Sequence, residues 1–191
     1  MTDIIFSFDT EDFTSNRAAN AILEEAQIFT EEGVRGCFCL VGLLAEQLVN
    51  WGRGDVLDAL KNHEINSHTY GHTLHPMINE YTDIEDFQEA VDKVVKEEGL
   101  AVEMIKKATG VDRIYAAVPP GTRNLMRQCT HITRWVCRFM PTPSAIRWME
   151  RAHIIAISIT LPTMRQLNAS LTVTKMTLRL FLKRLQRENA L

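Results

Sequence analysis

No stretch of this 191-residue chain stays apolar for the roughly 20 residues that a membrane helix requires. Its opening residues also lack a basic stretch followed by a hydrophobic segment, so nothing marks it for export and the expected compartment is the cytoplasm. Cysteine is scarce. Cys37, Cys39, Cys129 and Cys137 are too few and too dispersed for a disulfide scaffold, and Cys37-Phe38-Cys39 lacks the two-residue spacer of common zinc and redox pairs. Reduced core thiols are expected instead. There is no internal repeat. Basic residues are sparse early and acidic ones late: residues 1–121 carry 9 Lys+Arg against 22 Asp+Glu, and residues 122–191 carry 12 against 2, or net charges of -13 and +10 within an overall -3. Three readings of this split stand open: a basic tail for an acidic partner, two segments of one fold attracting each other, or a final third that is not ordinary domain sequence.

What is present suffices for one globular domain over residues 1–191, since 46% of the residues are hydrophobic. Ile4 to Phe8 reads as a buried first strand that delivers Asp9 to its C-terminal end. Arg17 to Glu32 is helix-like, with Ile22, Ala26 and Phe29 on one stripe and Gly33 as a left-handed cap. A strand over Cys37 to Val41, helices over Gly42 to Asn50 and Asp55 to Asn62, and a brief strand over Glu64 to Ser67 repeat the pattern. Asp83 is a candidate cap for a long helix that carries Ile84, Phe87, Val91, Val94 and Val95 at helical spacing and ends at Gly110. Ile114 to Val118 and Ile154 to Ile159 are further strand candidates, and Pro119-Pro120-Gly121 must be a loop. This alternation predicts an α/β fold with a mainly parallel sheet, barrel-like or open, whose ligands gather at the strands' C-terminal ends. Val173 to Arg187 reads as a basic amphipathic helix. Its Leu178, Phe181, Leu182 and Leu185 face inward and Lys175, Arg179, Lys183 and Arg187 face solvent; with no aromatic platform beside the charges, neither nucleic acid nor membrane is an expected partner.

The chemistry is concentrated in His68-Thr69-Tyr70-Gly71-His72 and in the acidic cluster Asp9-Thr10-Glu11-Asp12 that follows the first strand. Two neutral imidazoles and one carboxylate can fill three positions on zinc and leave another for a water, while a further carboxylate takes that water's proton. A histidine pair at this spacing arises by chance often enough to decide nothing alone, and the strand-end acids are what tip the balance. His63, His75, His131 and His153 are expected to be surface or satisfied core residues.

Together these landmarks resemble the polysaccharide deacetylase family of carbohydrate esterases. Phe6 to Phe13 resembles the family's first motif, in a variant whose two working acids are not adjacent, and His68 to His72 resembles its second. Gly33 to Gly42 sits where the family has a helix end and its second core strand, and Pro119-Pro120-Gly121 resembles the end of the third motif. The match spans about residues 3–121. It implies a distorted (β/α) barrel, whose completion by residues 122–191 the sequence leaves open, and hydrolysis of carbon–nitrogen bonds in acetylated amino sugars or polysaccharides. In that reading Asp9 is the general base, His68, His72 and a carboxylate of Glu11 or Asp12 bind Zn2+ or another divalent metal, and Thr69, Tyr70, Pro120 and Gly121 face the substrate. Glu11 is the first choice, because two positions beyond Asp9 in an extended segment its side chain returns to the same face, whereas Asp12 alternates away.

Two departures set an alternative beside the enzyme. The family's acid is a histidine in a Leu-x-His motif, and this chain has no such motif and no histidine after His153. Where the family has an arginine that orients the base, this chain reads Ala116-Ala117-Val118, leaving Arg113 and Arg123 as nearby substitutes. The alternative is therefore a member that binds metal or saccharide without turnover. A third reading keeps the enzyme and makes the substrate a small cyclic or linear amide. The oligomeric state is not legible.

Overall fold

The computed structural model describes residues 3–120, 138–139, 154–160, 179 and 183. Its strands are β1 (Asp3–Thr10), β2 (Cys37–Leu40), β3 (Glu64–Ser67), β4 (Ala116–Ala117), β5 (Arg138–Phe139) and β6 (Ile154–Thr160), in the spatial order β5-β4-β3-β2-β1-β6 with every pairing parallel. Helices α1 (Ala18–Glu31), α2 (Gly42–Asn50), α3 (Gly54–Leu60), α4 (Ile78–Tyr81) and α5 (Phe87–Thr109) occupy the connections. Among the described residues the sheet is open, with β5 and β6 at its edges. None of these helices is long and apolar enough to cross a membrane.

Strand alternation divides the sheet into two unlike faces. Phe6, Phe8, Phe38 and Ile65 point one way and are buried with Ile22, Ala26 and Phe29 of α1, Leu44 and Leu48 of α2, and Val56 and Leu60 of α3. Their rings interlock: Phe8 stacks on Phe38 at 4.6 Å, and Phe29 sets its ring edgewise to both Phe6 (5.2 Å) and Phe8 (5.0 Å). The strand register puts Ser7, Cys37 and Glu64 in one row of the other face, and Asp9, Cys39 and Asn66 in the next. This face is polar and knitted together. Asn66 donates to Cys37 Sγ (3.0 Å) and Glu64 Oε1 (2.9 Å), and Ser7 Oγ lies 3.6 Å from Cys39 Sγ. The Cys39 thiol is held well above its ordinary range, by Cys37 first and then by burial, so it remains a neutral thiol.

The expected helices and strands are found with small shifts at their ends, and Gly33 (φ +68°) and Gly110 (φ +77°) close α1 and α5 in the left-handed conformation. Two expectations need correction. Asp83 does not cap the long helix: its N–H donates to Glu80 O at the end of α4, a helix the apolar pattern did not reveal, and Asp86 caps α5 by accepting from Glu89 N at 2.8 Å. The strand expected over 114–118 shrinks to Ala116–Ala117. Asn66 Oδ1 accepts from Tyr115 N (3.3 Å) and Ala116 N (2.8 Å), so a side chain takes donors that a longer ladder would have used. Arg179 and Lys183 are exposed, as expected, and at the surface Arg179 pairs with Glu31 (2.5 Å) and Lys183 with Glu32 (3.8 Å) at the carbonyl end of α1. Such exposed pairs contribute about 0–1 kcal/mol each. The rest of the helix expected over 173–187 lies outside the described residues, as do His131 and His153.

His63 is a satisfied core residue. Gly36 N donates to its Nδ1 (3.2 Å), which fixes the hydrogen on Nε2, and that nitrogen donates to Ala26 O (2.9 Å). The imidazole thereby ties α1 to the approach of β2, where a Cβ on Gly36 would stand 2.9 Å from the Phe8 ring. Burial pushes the His63 pKa below 6.5, partly offset by the Ala26 carbonyl. The unfolded chain therefore takes the proton first, so this contribution to stability is complete above pH 6.5 and is lost as pH falls through the folded value. Replacing His63→Leu should cost about 2 kcal/mol, because the Gly36 amide loses its acceptor. Urea unfolding at about pH 7.5 and about pH 5 should show the wild type losing stability with acid more steeply than the variant; equal slopes would rule out this role.

Candidate metal centre

The two polar rows continue upward into the site. Beyond Asp9, alternation brings Glu11 to the same face, and beyond Asn66 it brings His68 there. The ladder runs on for a step, with Val41 N donating to Thr10 O (3.4 Å) and His68 N to Leu40 O (2.7 Å). The site thus sits at the C-terminal ends of β1 and β3.

His68 is 2% exposed, and its orientation is fixed by a contact no sequence pattern announces: Nδ1 lies 2.6 Å from the Val118 carbonyl. A carbonyl only accepts, so Nδ1 carries hydrogen and neutral His68 presents the lone pair of Nε2. That lone pair faces Glu11 Oε1 at 3.6 Å, and His72 Nε2 faces the same oxygen at 3.3 Å. The imidazole rings lie 4.9 Å apart. One ligand atom from each of Glu11, His68 and His72 falls within 4.8 Å of the others. Metal–ligand bonds of about 2.0–2.1 Å around a tetrahedral ion imply ligand atoms about 3.3 Å apart. Buried His68 Nε2 has no hydrogen-bond partner among the described residues, and a lone pair aimed at a carboxylate is repulsive unless a proton or cation stands between them. These three residues can therefore hold a divalent metal. When protons on the two imidazoles take the place of a metal, hydrogen bonds from His68 and then His72 hold the Glu11 carboxyl down at about 2, against the upward push of burial, so Glu11 is an anion with a proton or a cation between it and the rings.

Asp12 is engaged elsewhere. Its Oδ1 accepts from Thr14 N (2.9 Å), Thr14 Oγ1 (2.7 Å) and Ser15 N (3.2 Å), closing the turn that leads into α1. Asp9 is half-buried at the end of β1, across from Cys39 in β2, one row below the ligand atoms. Thr69 and Tyr70 line a cavity of about 360 Å³ beside the centre, together with His72, Tyr81 and Glu98. Pro120 is half-buried in the loop after β4 and does not line that cavity, and Gly121 and Arg123 lie outside the described residues. Arg113 lies 5.3 Å over the Tyr115 ring. His75 is exposed and bonded to Glu80 at 2.8 Å.

The ligand turn is strained. Thr69 (φ +69°) and His72 (φ +52°) adopt a backbone conformation that side chains disfavour. Thr69 Oγ1 accepts from His72 N (3.2 Å), and the first amides of α2, Gly42 and Leu43, donate to the carbonyls of Thr69 (2.9 Å) and Tyr70 (3.0 Å). From the other side the Tyr70 N–H faces Glu98, whose carboxyl accepts from Tyr81 Oη at 2.5 Å. Burial pushes Glu98 up to about 7, against these two donors. Sequence reasoning missed Val118, which acts through its backbone, and Glu98. The latter left a trace, a carboxylate on the stripe of Val91, Val94 and Ala101 where an apolar residue is expected.

At the level of sequence, no family model and no curated protein matches the chain. The folded architecture does find counterparts. The chain has the fold of CE4 polysaccharide deacetylases. Against a mutant of a CE4 pseudoenzyme with restored enzymatic activity the TM-score is 0.60 at 15% identity, covering 98% of this chain and 64% of that one. The wild-type pseudoenzyme, from Bacillus anthracis, gives 0.58 at 13%, covering 96% and 61%. The Xyl-CE4 domain of a multidomain xylanase from the hindgut metagenome of Trinervitermes trinervoides gives 0.59 at 16%, covering 98% and 84%. This chain thus spans just under two thirds of the length of the pseudoenzyme structures.

The different employment of the two neighbouring acids yields a direct comparison. In a Zn2+ titration, Glu11→Gln should weaken binding by about 100-fold or more, since it removes a charged ligand. Asp12→Asn, whose amide oxygen still accepts the three bonds of the turn, should leave both affinity and stability nearly unchanged; the reverse ranking would assign the ligand role to Asp12.

Proposed function

We propose that the chain is a metal-dependent hydrolase that removes acetyl groups from N-acetylated amino sugars, with Zn2+ as the first choice of ion. The observation that carries this reading is the approach of His68 Nε2 and His72 Nε2 to one carboxylate oxygen of Glu11, at 3.6 and 3.3 Å. Support for the substrate class comes from the shared fold, which is also that of the peptidoglycan deacetylase PdaC from Bacillus subtilis. We further read the parallel sheet as an arc of a distorted (β/α) barrel, its polar face of Ser7, Asp9, Cys37, Cys39 and Asn66 turned to the interior, within a single domain over residues 1–191.

In this reading Glu11, His68 and His72 hold the ion, which when bound supplies Lewis acidity to the acetyl carbonyl and acidifies a water. Asp9, as a carboxylate base, takes the proton from the attacking water, and its place below the ligand row keeps it near the reaction without joining the ligands. Thr69 and Tyr70 border the adjoining cavity and contact the sugar there. Pro120 and Gly121 are assigned to the substrate by the family resemblance alone, Gly121 lying outside the described residues.

A second reading, metal or saccharide binding without turnover, is favoured by a specific feature. The segment around β4 offers Ala116 and Ala117 where an arginine would orient Asp9, and no Leu-x-His motif supplies an acid for the leaving amine. A CE4 pseudoenzyme among the structural neighbours makes that outcome a known one for the fold. Incubation with short N-acetylglucosamine oligomers separates the readings. The hydrolase should release acetate, lose activity on chelation, regain it with Zn2+, and lose about 100-fold or more in kcat on Asp9→Asn while retaining metal. Bound metal without acetate release would favour the binder.

A further inference from the structure

We propose that Glu98 is a positioning residue for the metal centre: its buried carboxyl, held between Tyr70 and Tyr81, fixes the turn that presents His72 to Glu11. This rests on the metal-binding reading above and adds a residue to it. The turn needs external support, because left-handed backbone at a side-chain-bearing residue costs about 1–3 kcal/mol and persists only where the surroundings impose it. Two helices impose it here. α2 holds the carbonyl side of Thr69 and Tyr70 through the amides of Gly42 and Leu43, and the buried Glu98 carboxyl of α5 faces the amide side of Tyr70 in the wall of the same cavity. The spacing of the two helices sets the reach of that carboxyl. A Cβ on Gly42 would stand 2.9 Å from Ala101 Cα and 3.3 Å from Tyr70 O, so the helices and the turn meet in close contact, one helical turn from Glu98.

Glu98 is 8% exposed on a stripe otherwise filled by Val91, Val94, Ala101 and Ile105, where an apolar side chain would avoid the cost of desolvating a carboxyl. Its two polar contacts both lead to the site. Tyr70 belongs to the ligand turn, and Tyr81, which donates to Glu98 Oε1 at 2.5 Å, lines the same cavity as His72. The carboxyl is therefore placed where its loss frees the one amide that α5 holds in the turn.

Co2+ binding to the full chain, followed by its visible absorption and by competition with a chelator, tests this. Glu98→Ala should weaken Co2+ binding about tenfold or more and alter the absorption bands, because the second imidazole is no longer held in place. Glu98→Gln, whose amide oxygen still accepts from Tyr70 N–H, should restore binding to within a few-fold. Tyr81→Phe, which leaves the backbone contact intact, should give a smaller loss and serves if Glu98→Ala does not fold. A merely structural role would lower the melting temperature while leaving Co2+ affinity and spectrum at wild-type values, and that result overturns the proposal. Failure of the wild type to bind Co2+ would instead overturn the metal-site reading on which it rests.

Discussion

The Val118 carbonyl can only accept a hydrogen bond, and the rest of the site follows from that constraint. With its Nδ1 committed to this oxygen at 2.6 Å, the His68 ring can turn only Nε2 toward Glu11. Val118 is itself anchored, its N–H donating to Ser67 O at 2.8 Å where β4 meets β3. Three strand ends therefore converge: β1 supplies Glu11 two residues beyond its last paired position but one, β3 supplies His68, and the segment leaving β4 supplies the group that orients His68. A loop alone would not hold a lone pair facing a carboxylate; the parallel ladder beneath it does.

The two faces of the sheet divide the work. One is filled by Phe6, Phe8, Phe38 and Ile65 against three helices and carries the burial that offsets the conformational entropy of folding. The other is lined by Ser7, Asp9, Cys37, Cys39 and Asn66, where Ser7 contacts Cys39 and Asn66 bonds Cys37 and the backbone of the next segment. Asn66 is the clearest case: it bonds Cys37 and Glu64 through its amide nitrogen and the amides of Tyr115 and Ala116 through its oxygen, so it spans β2 to β4 and sets where Val118 stands. The strained turn from Thr69 to His72 is stable for a related reason, being held by helix amides on one side and a buried carboxyl on the other.

Much of this was legible from residue order because alternation is a rigid rule. The preference for Glu11 over Asp12 needed only the period of an extended chain, and the structure places Glu11 beside both histidines while Asp12 closes a turn. Helices α1 and α2 carried their own stripes and end signals. The failures have a common cause, in that a partner distant in sequence outbid the local signal. Asn66 shortened β4 from 50 positions away, and Asp83 looked like a cap only because α4 was too short to show a period. The orienting contact on His68 could not be read at all, because a backbone carbonyl has no residue type. The charge split was visible but its meaning was not, and the surface pairs of Arg179 with Glu31 and Lys183 with Glu32 leave its three readings open.

The central claim is that one cation joins Glu11, His68 and His72. Anomalous diffraction at the zinc edge from crystals grown with Zn2+ tests it most directly. The account predicts a single strong peak about 2.0–2.2 Å from Nε2 of each histidine and from a Glu11 oxygen. A peak that lacks Glu11, or an ion bound elsewhere while these three side chains contact only one another, would contradict it.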